Sequence, residues 1–149
     1  MIRQECFRAV EGRLYHYEDM KRQVASFQND QWRLRAGQIT GMPRGQAVRS
    51  DPTAQGALAL ADPPPEITRC MRWIQSIEKA LERIAQESPL LERLVRAYYL
   101  NNESIAVRQR TAHICASLNL ERSVFYQYRR RIVQTVYLQA VYDHLLEPE

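Results

Sequence analysis

The stretch RTAHICASLNLERSVFYQYRRRIV (110–133) predicts two helices joined by a tight turn. Its first half predicts a short helix, because three apolar residues recur there at helical spacing: Ile114, Cys115 and Leu118. Asn119 follows, and asparagine tolerates the left-handed backbone conformation that often ends a helix. We expect Leu120 to be the buried residue of the turn.

A second, longer helix is predicted to begin near Glu121. One face carries apolar or aromatic residues at i, i+3 and i+7: Phe125, Tyr128 and Ile132. The opposite face is polar and basic, with Arg122, Ser123, Tyr126, Gln127, Arg129 and Arg130. This is the pattern of a helix-turn-helix whose second helix enters a DNA major groove. A plain two-helix corner in any α-helical protein has the same pattern, so both interpretations stay open here.

The charge of this region favours an anionic partner. Residues 104–133 contain a single acid, Glu121, against six arginines: Arg108, Arg110, Arg122, Arg129, Arg130 and Arg131. Such a surface suits phosphate groups. The whole chain has a net charge of +4 and a sequence pI of about 9.1. Its excess of positive charge is therefore more modest than that of residues 104–133.

Composition predicts an all-α, cytoplasmic protein. The 149 residues are 45% hydrophobic, enough for a core, and only five are glycine. The three cysteines are widely spaced and form no C-x-x-C motif, so we expect neither a disulfide framework nor a metal site. No signal-peptide pattern and no apolar run near 18 residues occurs, so we expect no secretion or membrane span.

Residues 1–36 are predicted to form one long N-terminal helix, from about 4 to 35. Its stripe is nearly a heptad seam with one irregular step between Tyr17 and Val24: Phe7, Val10, Leu14, Tyr17, Met20, Val24, Phe27 and Leu34. A stripe this narrow needs a partner helix, either in the same chain or in a second copy. A homodimer through heptad helices is therefore one expectation. The interleaved acids, Glu11 among them, mark the charged residues as a solvated face.

Residues 37–66 are predicted to be a flexible linker that contains one short helix. Three of the five glycines and few apolar anchors fall in its first part. Asp51 is a good N-cap and Pro52 suits the first helical position, so a helix should run over 52–61. Three consecutive prolines, 63–65, end it.

Residues 67–149 are predicted to form a helical bundle that ends in the opening stretch. The segment 66–87 has a heptad seam: Ile67, Cys70, Ile74, Ile77, Leu81 and Ile84. It should pair with the N-terminal helix as an antiparallel hairpin, or with a second copy.

Ser88 and Pro89 start the next helix, which ends near Leu100. Residues 105–109 either begin the first helix of the helix-turn-helix or form a separate turn. The last helix should continue to about Leu146 and either pack back onto the 66–87 segment or form a dimer contact.

Several segments, in this order, resemble phage and prophage transcriptional regulators of the RinA and ArpU type. They are LYHYEDMKRQ (14–23), SDPTAQ (50–55), RWIQSIEKAL (72–81), RLVRAYY (93–99) and SVFYQYRRRIV (123–133). The C-terminal half of that family is similar to region 4 of sigma-70 factors. The chain departs from the family pattern at Asn119, where members have glycine, and at Glu121, where members have serine or threonine.

The resemblance implies an activator of late phage genes that binds double-stranded DNA at a promoter and contacts the host RNA polymerase. Its base-reading residues would be Arg122, Ser123, Tyr126, Gln127 and Arg130. Its phosphate contacts would be Arg110, Thr111, Arg129 and Arg131, which set register without reading sequence. No cofactor and no metal is implied.

Two other functions fit the same sequence features. A small terminase subunit would also combine a helical DNA-binding domain with an oligomerising helix. A helical adaptor would use the heptad seams to bind a protein partner, with the basic face exposed to solvent. An enzyme is not expected, because the sequence shows no paired carboxylates, no nucleophile–base arrangement and no glycine-rich phosphate loop.

Overall fold

Helices account for every regular element in the part of the chain that the computed structural model describes, namely residues 2–40, 63–100 and 106–149. This confirms the expected all-α class for those residues. The helices are α1 (Gln4–Tyr15), α2 (Tyr17–Thr40), α3 (Pro65–Glu87), α4 (Pro89–Val95), α5 (Val107–Ser117) and α6 (Arg122–Tyr142). A π-helical segment, Arg96–Leu100, directly continues α4.

The prediction of one continuous N-terminal helix over 4–35 is wrong, because the helix is interrupted at His16. There α1 ends, with φ −96° and ψ 10°, and α2 starts at the next residue. Two successive three-residue steps, Leu14 to Tyr17 to Met20, would turn a buried stripe by about 60° each on an unbroken helix. The interruption allows all three side chains to be buried, each at most 5% exposed.

Helix α3 forms almost where it was predicted, but its buried face is centred differently. The buried apolar side chains are Cys70, Trp73, Ile77, Ala80 and Ile84. The predicted seam residues Ile74 and Leu81 are only partly buried. Trp73 is large enough to rotate the buried face toward itself, and Ala80 allows close approach about two turns later.

The start of α4 confirms the predicted cap. The Ser88 side chain accepts a hydrogen bond from the Leu91 backbone N–H at 3.4 Å, and Pro89 occupies the first turn. Helical structure then continues to Leu100, as expected. Helix α5 begins at Val107, so residues 107–109 belong to the first helix of the opening stretch rather than to a separate turn.

The last helix ends at Tyr142, four residues before the predicted end at Leu146. His144 adopts φ 59°, a left-handed conformation that stops the helix. Asp143 lies at this end and forms an ion pair with Lys79 Nζ at 3.3 Å. The carbonyl of Asp143 also accepts a hydrogen bond from Arg72 Nη2 at 3.0 Å. The end of α6 therefore packs back onto α3, one of the two predicted outcomes.

The described chain divides into two compact units. One unit comprises Met1–Glu18 and Arg72–Glu149, and the other comprises Asp19–Met71. In the first unit, Tyr17 Oη donates to Glu78 Oε1 at 3.0 Å. In the second, Cys70 Sγ lies 3.7 Å from Gln23 Oε1. Each contact joins the two helices predicted to pair, and their antiparallel arrangement stays a prediction.

Aromatic rings fill the centre of the first unit. Tyr99 lies with its ring centroid 5.0 Å from that of Tyr15 and 4.8 Å from that of Tyr98. Tyr98 also contacts Phe125 of α6 at 5.2 Å. This cluster joins α1, the π-helical segment and α6 in one core. Residues 37–40 of the predicted linker instead belong to α2, and residues 65 and 66 belong to α3. The predicted helix over 52–61 lies outside the described residues, as does the linker from 41 to 62.

Asn119 connects α5 to α6 with φ 54°, the left-handed conformation that its residue type predicts. Replacing Asn119 with alanine should lower the free energy of unfolding by about 1 kcal/mol, because an ordinary L-residue is disfavoured there by roughly 1–2 kcal/mol. Asn119→Gly should leave the stability unchanged or raise it. Urea unfolding followed by circular dichroism measures both. An equal loss in the glycine variant would show that backbone conformation is not the cause.

Candidate nucleic-acid interface

Helices α5 and α6 pack against each other across a short turn. The backbone N–H of Leu120 donates to the Cys115 carbonyl at 2.9 Å, which closes the end of α5. Ile114 and Phe125 are buried at 3% and 0% exposure. Leu120, predicted to be buried, is only half-buried. The turn thus fixes the direction of α6 relative to α5.

The five predicted base-reading residues lie on one exposed face of α6. All are exposed to solvent: Arg122, Ser123, Tyr126, Gln127 and Arg130. At 3.6 residues per turn they span an arc of about 140°. Further along the helix, Val133 and Tyr137 return to part of this arc, and both are buried. The wide exposed face is therefore confined to the N-terminal half of α6.

Glu121 precedes this face as the N-cap residue of α6. Its side chain makes no capping hydrogen bond and is exposed. A carboxylate at a helix N-terminus is favoured by the helix dipole. The structure thus leaves Glu121 beside Arg122, at the start of the exposed face.

The four predicted phosphate contacts occupy different environments. Arg110 Nη1 donates to the Tyr98 carbonyl at 2.9 Å, and its guanidinium lies over the Tyr98 ring. Thr111 is half-buried. Arg131 is exposed and forms an ion pair with Glu87. Of the two arginines among these three residues, Arg131 is therefore the more accessible.

Arg129, the fourth, is bound to Glu11 of α1. Arg129 Nε and Nη2 donate to the two carboxylate oxygens of Glu11 at 2.5 and 2.7 Å. Tyr99 Oη donates to the same carboxylate at 2.8 Å. This bidentate pair is strong and geometrically specific, and it occupies the guanidinium edge that a phosphate would otherwise contact.

The pKa values of Arg129 and Tyr99 are both raised in this cluster. Hydrogen bonding to Glu11 raises the pKa of Arg129 and outweighs the opposing effect of burial. Burial, followed by the Glu11 charge, raises the pKa of Tyr99 above its ordinary value. Arg129 is thus held charged, and Tyr99 is held neutral as a donor.

Sequence reasoning missed the role of Glu11, which it assigned to a solvated face. Glu11 as a whole residue is only 6% exposed. One signal was present: Glu11 directly follows Val10 and precedes Leu14 by three residues, and both of those are fully buried. An acid within a buried arc of a helix requires a partner, and α6 carries three consecutive arginines.

A groove of about 720 Å³ separates α1 from α6 beside the exposed face. From α1 it is lined by Phe7 and Arg8, and from α6 by Tyr126 and Arg130. The Arg129–Glu11 pair lies in its wall. Tyr126 and Arg130 therefore belong both to the exposed face and to the groove.

Other kinds of site find no support in the described residues. They contain no group of three or more histidine, cysteine, aspartate or glutamate side chains arranged to hold a metal ion. None of the helices searched combines the length and apolar character needed to cross a membrane.

No protein-family model matches the chain, and neither does any curated protein or any solved structure. The resemblance to RinA- and ArpU-type regulators therefore rests on the quoted sequence segments alone.

Proposed function

We propose that this protein is a sequence-specific DNA-binding regulator that uses α5, the turn and α6 as a sigma-region-4-like helix-turn-helix. The observation that carries the proposal is the exposed face of α6. Its five base-reading candidates are all accessible, while the apolar residues Phe125 and Ile132 behind them are fully buried. A rigid helix that presents arginine, glutamine and serine to solvent can read base edges in a major groove.

Within this proposal, Arg122 and Arg130 contact guanine edges. Arginine is the side chain most often used for guanine, through two parallel hydrogen bonds. Gln127 suits adenine for the same geometric reason, and Ser123 and Tyr126 complete the base-reading set. Arg131 contributes phosphate contacts, with Arg110 and Thr111 at the edge of the surface. Arg129 is assigned a structural role, because Glu11 already holds its guanidinium.

The biological role follows from the sequence resemblance: activation of late phage genes in the cytoplasm, at a promoter, with contact to the host RNA polymerase. A homodimer through the heptad helices is part of the proposal. It is supported by Leu34 of α2, a residue of the predicted N-terminal seam that is 52% exposed. An exposed leucine of this size suits a second helix.

Genome-wide mapping of DNA bound by the full chain in its host tests the proposal. The expected result is sharp enrichment of fragments directly upstream of an operon. Enrichment within a packaging region, with a ring-sized assembly in light scattering, would instead indicate a small terminase subunit. Absence of enriched DNA, together with no gel shift at low salt, would contradict DNA binding and indicate the adaptor function.

A further inference from the structure

The groove between α1 and α6 opens beside the face proposed to read DNA. Both helices belong to the same compact unit, and the Arg129–Glu11 pair joins them directly. Tyr126 and Arg130 line the groove from the α6 side. A ligand that contacts these two residues on the α6 face would therefore also lie close to α1.

The residues that line the groove carry a net positive charge, which suits an anionic ligand. Among the described residues that line it, Glu11 is the single acid, and Arg129 neutralises it through two hydrogen bonds. Arg8 and Arg130 remain as exposed cations, and neither forms an ion pair with another described residue. Two uncompensated guanidinium groups thus stand on opposite walls, one from each helix.

The remaining lining suits a sugar–phosphate chain rather than a bare ion. Phe7 and Tyr126 contribute aromatic surface, against which a deoxyribose can pack. Gln4 and Gln134, both exposed, contribute amide donors on the two walls. Most protein–DNA hydrogen bonds reach phosphate and sugar, from donors of these types. A volume of about 720 Å³ is large for one small anion and open enough for a backbone segment.

We propose that this groove holds one sugar–phosphate strand of the bound duplex, with Arg8 as a phosphate contact supplied by the N-terminal helix. This inference rests on the proposed DNA-binding function. It extends the DNA-binding surface beyond the helix-turn-helix to a part of the chain more than one hundred residues away in sequence. It also explains how α6 can be flanked by a phosphate contact although Arg129 is bound to Glu11.

The test compares Arg8→Ala with wild-type full-length protein on the preferred duplex and on an unrelated duplex, across a salt series. Loss of one phosphate contact should weaken both affinities by a similar factor, about 3- to 10-fold at low salt. The slope of log affinity against log salt should decrease in magnitude by about 0.9. Arg8→Lys should keep most of the slope, because the charge is retained. Arg83→Ala, which removes an exposed arginine outside the groove, is the matched control and should change neither quantity.

Unchanged affinity and slope in folded Arg8→Ala would overturn the inference. If such a variant still binds DNA and substitutions at Arg122 and Arg130 weaken binding to the preferred duplex, the proposed function stands and only the groove assignment fails. If wild-type protein binds no duplex at low salt, both fail. An equal loss in Arg83→Ala would also count against the groove, since the effect would then follow net charge rather than position.

Discussion

Replacing Arg122 and Arg130 together with glutamine should lower the affinity for the preferred duplex by at least about 30-fold. Each bidentate arginine–guanine contact discriminates by roughly 1–3 kcal/mol, so two contacts amount to at least about 2 kcal/mol. Affinity for unrelated DNA should fall much less, because the phosphate contacts persist and supply most non-specific binding. Fluorescence anisotropy with both duplexes at one fixed salt concentration measures this difference.

The matched control replaces Arg83 and Arg93 with glutamine, which removes the same charge from two exposed positions outside α6. Its affinity for the preferred duplex should stay within a few-fold of wild type. If the control and the test variant lose affinity equally, net charge rather than base contact explains binding. If the folded test variant binds as wild type does, the base-reading assignment of this face is wrong.

Helical periodicity is sufficient to predict that the five base-reading candidates of α6 are exposed. All five base-reading candidates are accessible because they share one arc, opposite the apolar residues that form the core. Arg129 shows the limit of this reasoning. It lies at the edge of the same arc, but α1 covers that edge, and the partner residue Glu11 is 118 positions away. A local pattern carries no information about which distant helix packs beside it.

The helix boundaries likewise divide into those set by local sequence signals and those set by tertiary packing. Ser88 with Pro89, and Asn119, are local signals that act within a few residues, and the structure has the cap and the turn where they predict them. The break at His16 is different, since it depends on which side chains the core buries around Leu14 and Tyr17. The rotation of the α3 face toward Trp73 likewise depends on the volume available in the packed unit.

The Arg129–Glu11–Tyr99 cluster is the point at which the fold and the candidate interface depend on each other. Its pair joins α1 to α6 directly behind the exposed face. Side-chain exposure is 8% for Glu11 and 27% for Arg129, so the carboxylate is the more deeply buried partner. Removal of the arginine therefore leaves the more costly group unpaired, because a buried charge without a partner loses its hydration without compensation.

Arg129→Ala should accordingly lower the free energy of unfolding by about 3–4 kcal/mol. Glu11→Ala should cost less, about 2 kcal/mol, since the freed guanidinium can reach water and the main loss is the acceptor of the buried Tyr99 hydroxyl. Chemical denaturation of the full chain measures both values. Within an intact fold, Arg129→Ala should leave the salt dependence of DNA binding nearly unchanged, in contrast to Arg8→Ala.

Arg131→Ala is the neighbouring control, because its ion pair with Glu87 is exposed and should contribute less than about 1 kcal/mol. The double variant Glu11→Leu/Arg129→Met removes both charges and keeps much of the volume. It should therefore be more stable than Arg129→Ala alone. If Arg129→Ala instead retains wild-type stability and flattens the salt dependence, its guanidinium contacts phosphate and Glu11 does not hold it in solution. The order of the four stabilities and the salt dependence of DNA binding together decide whether this arginine supports α6 or binds DNA itself.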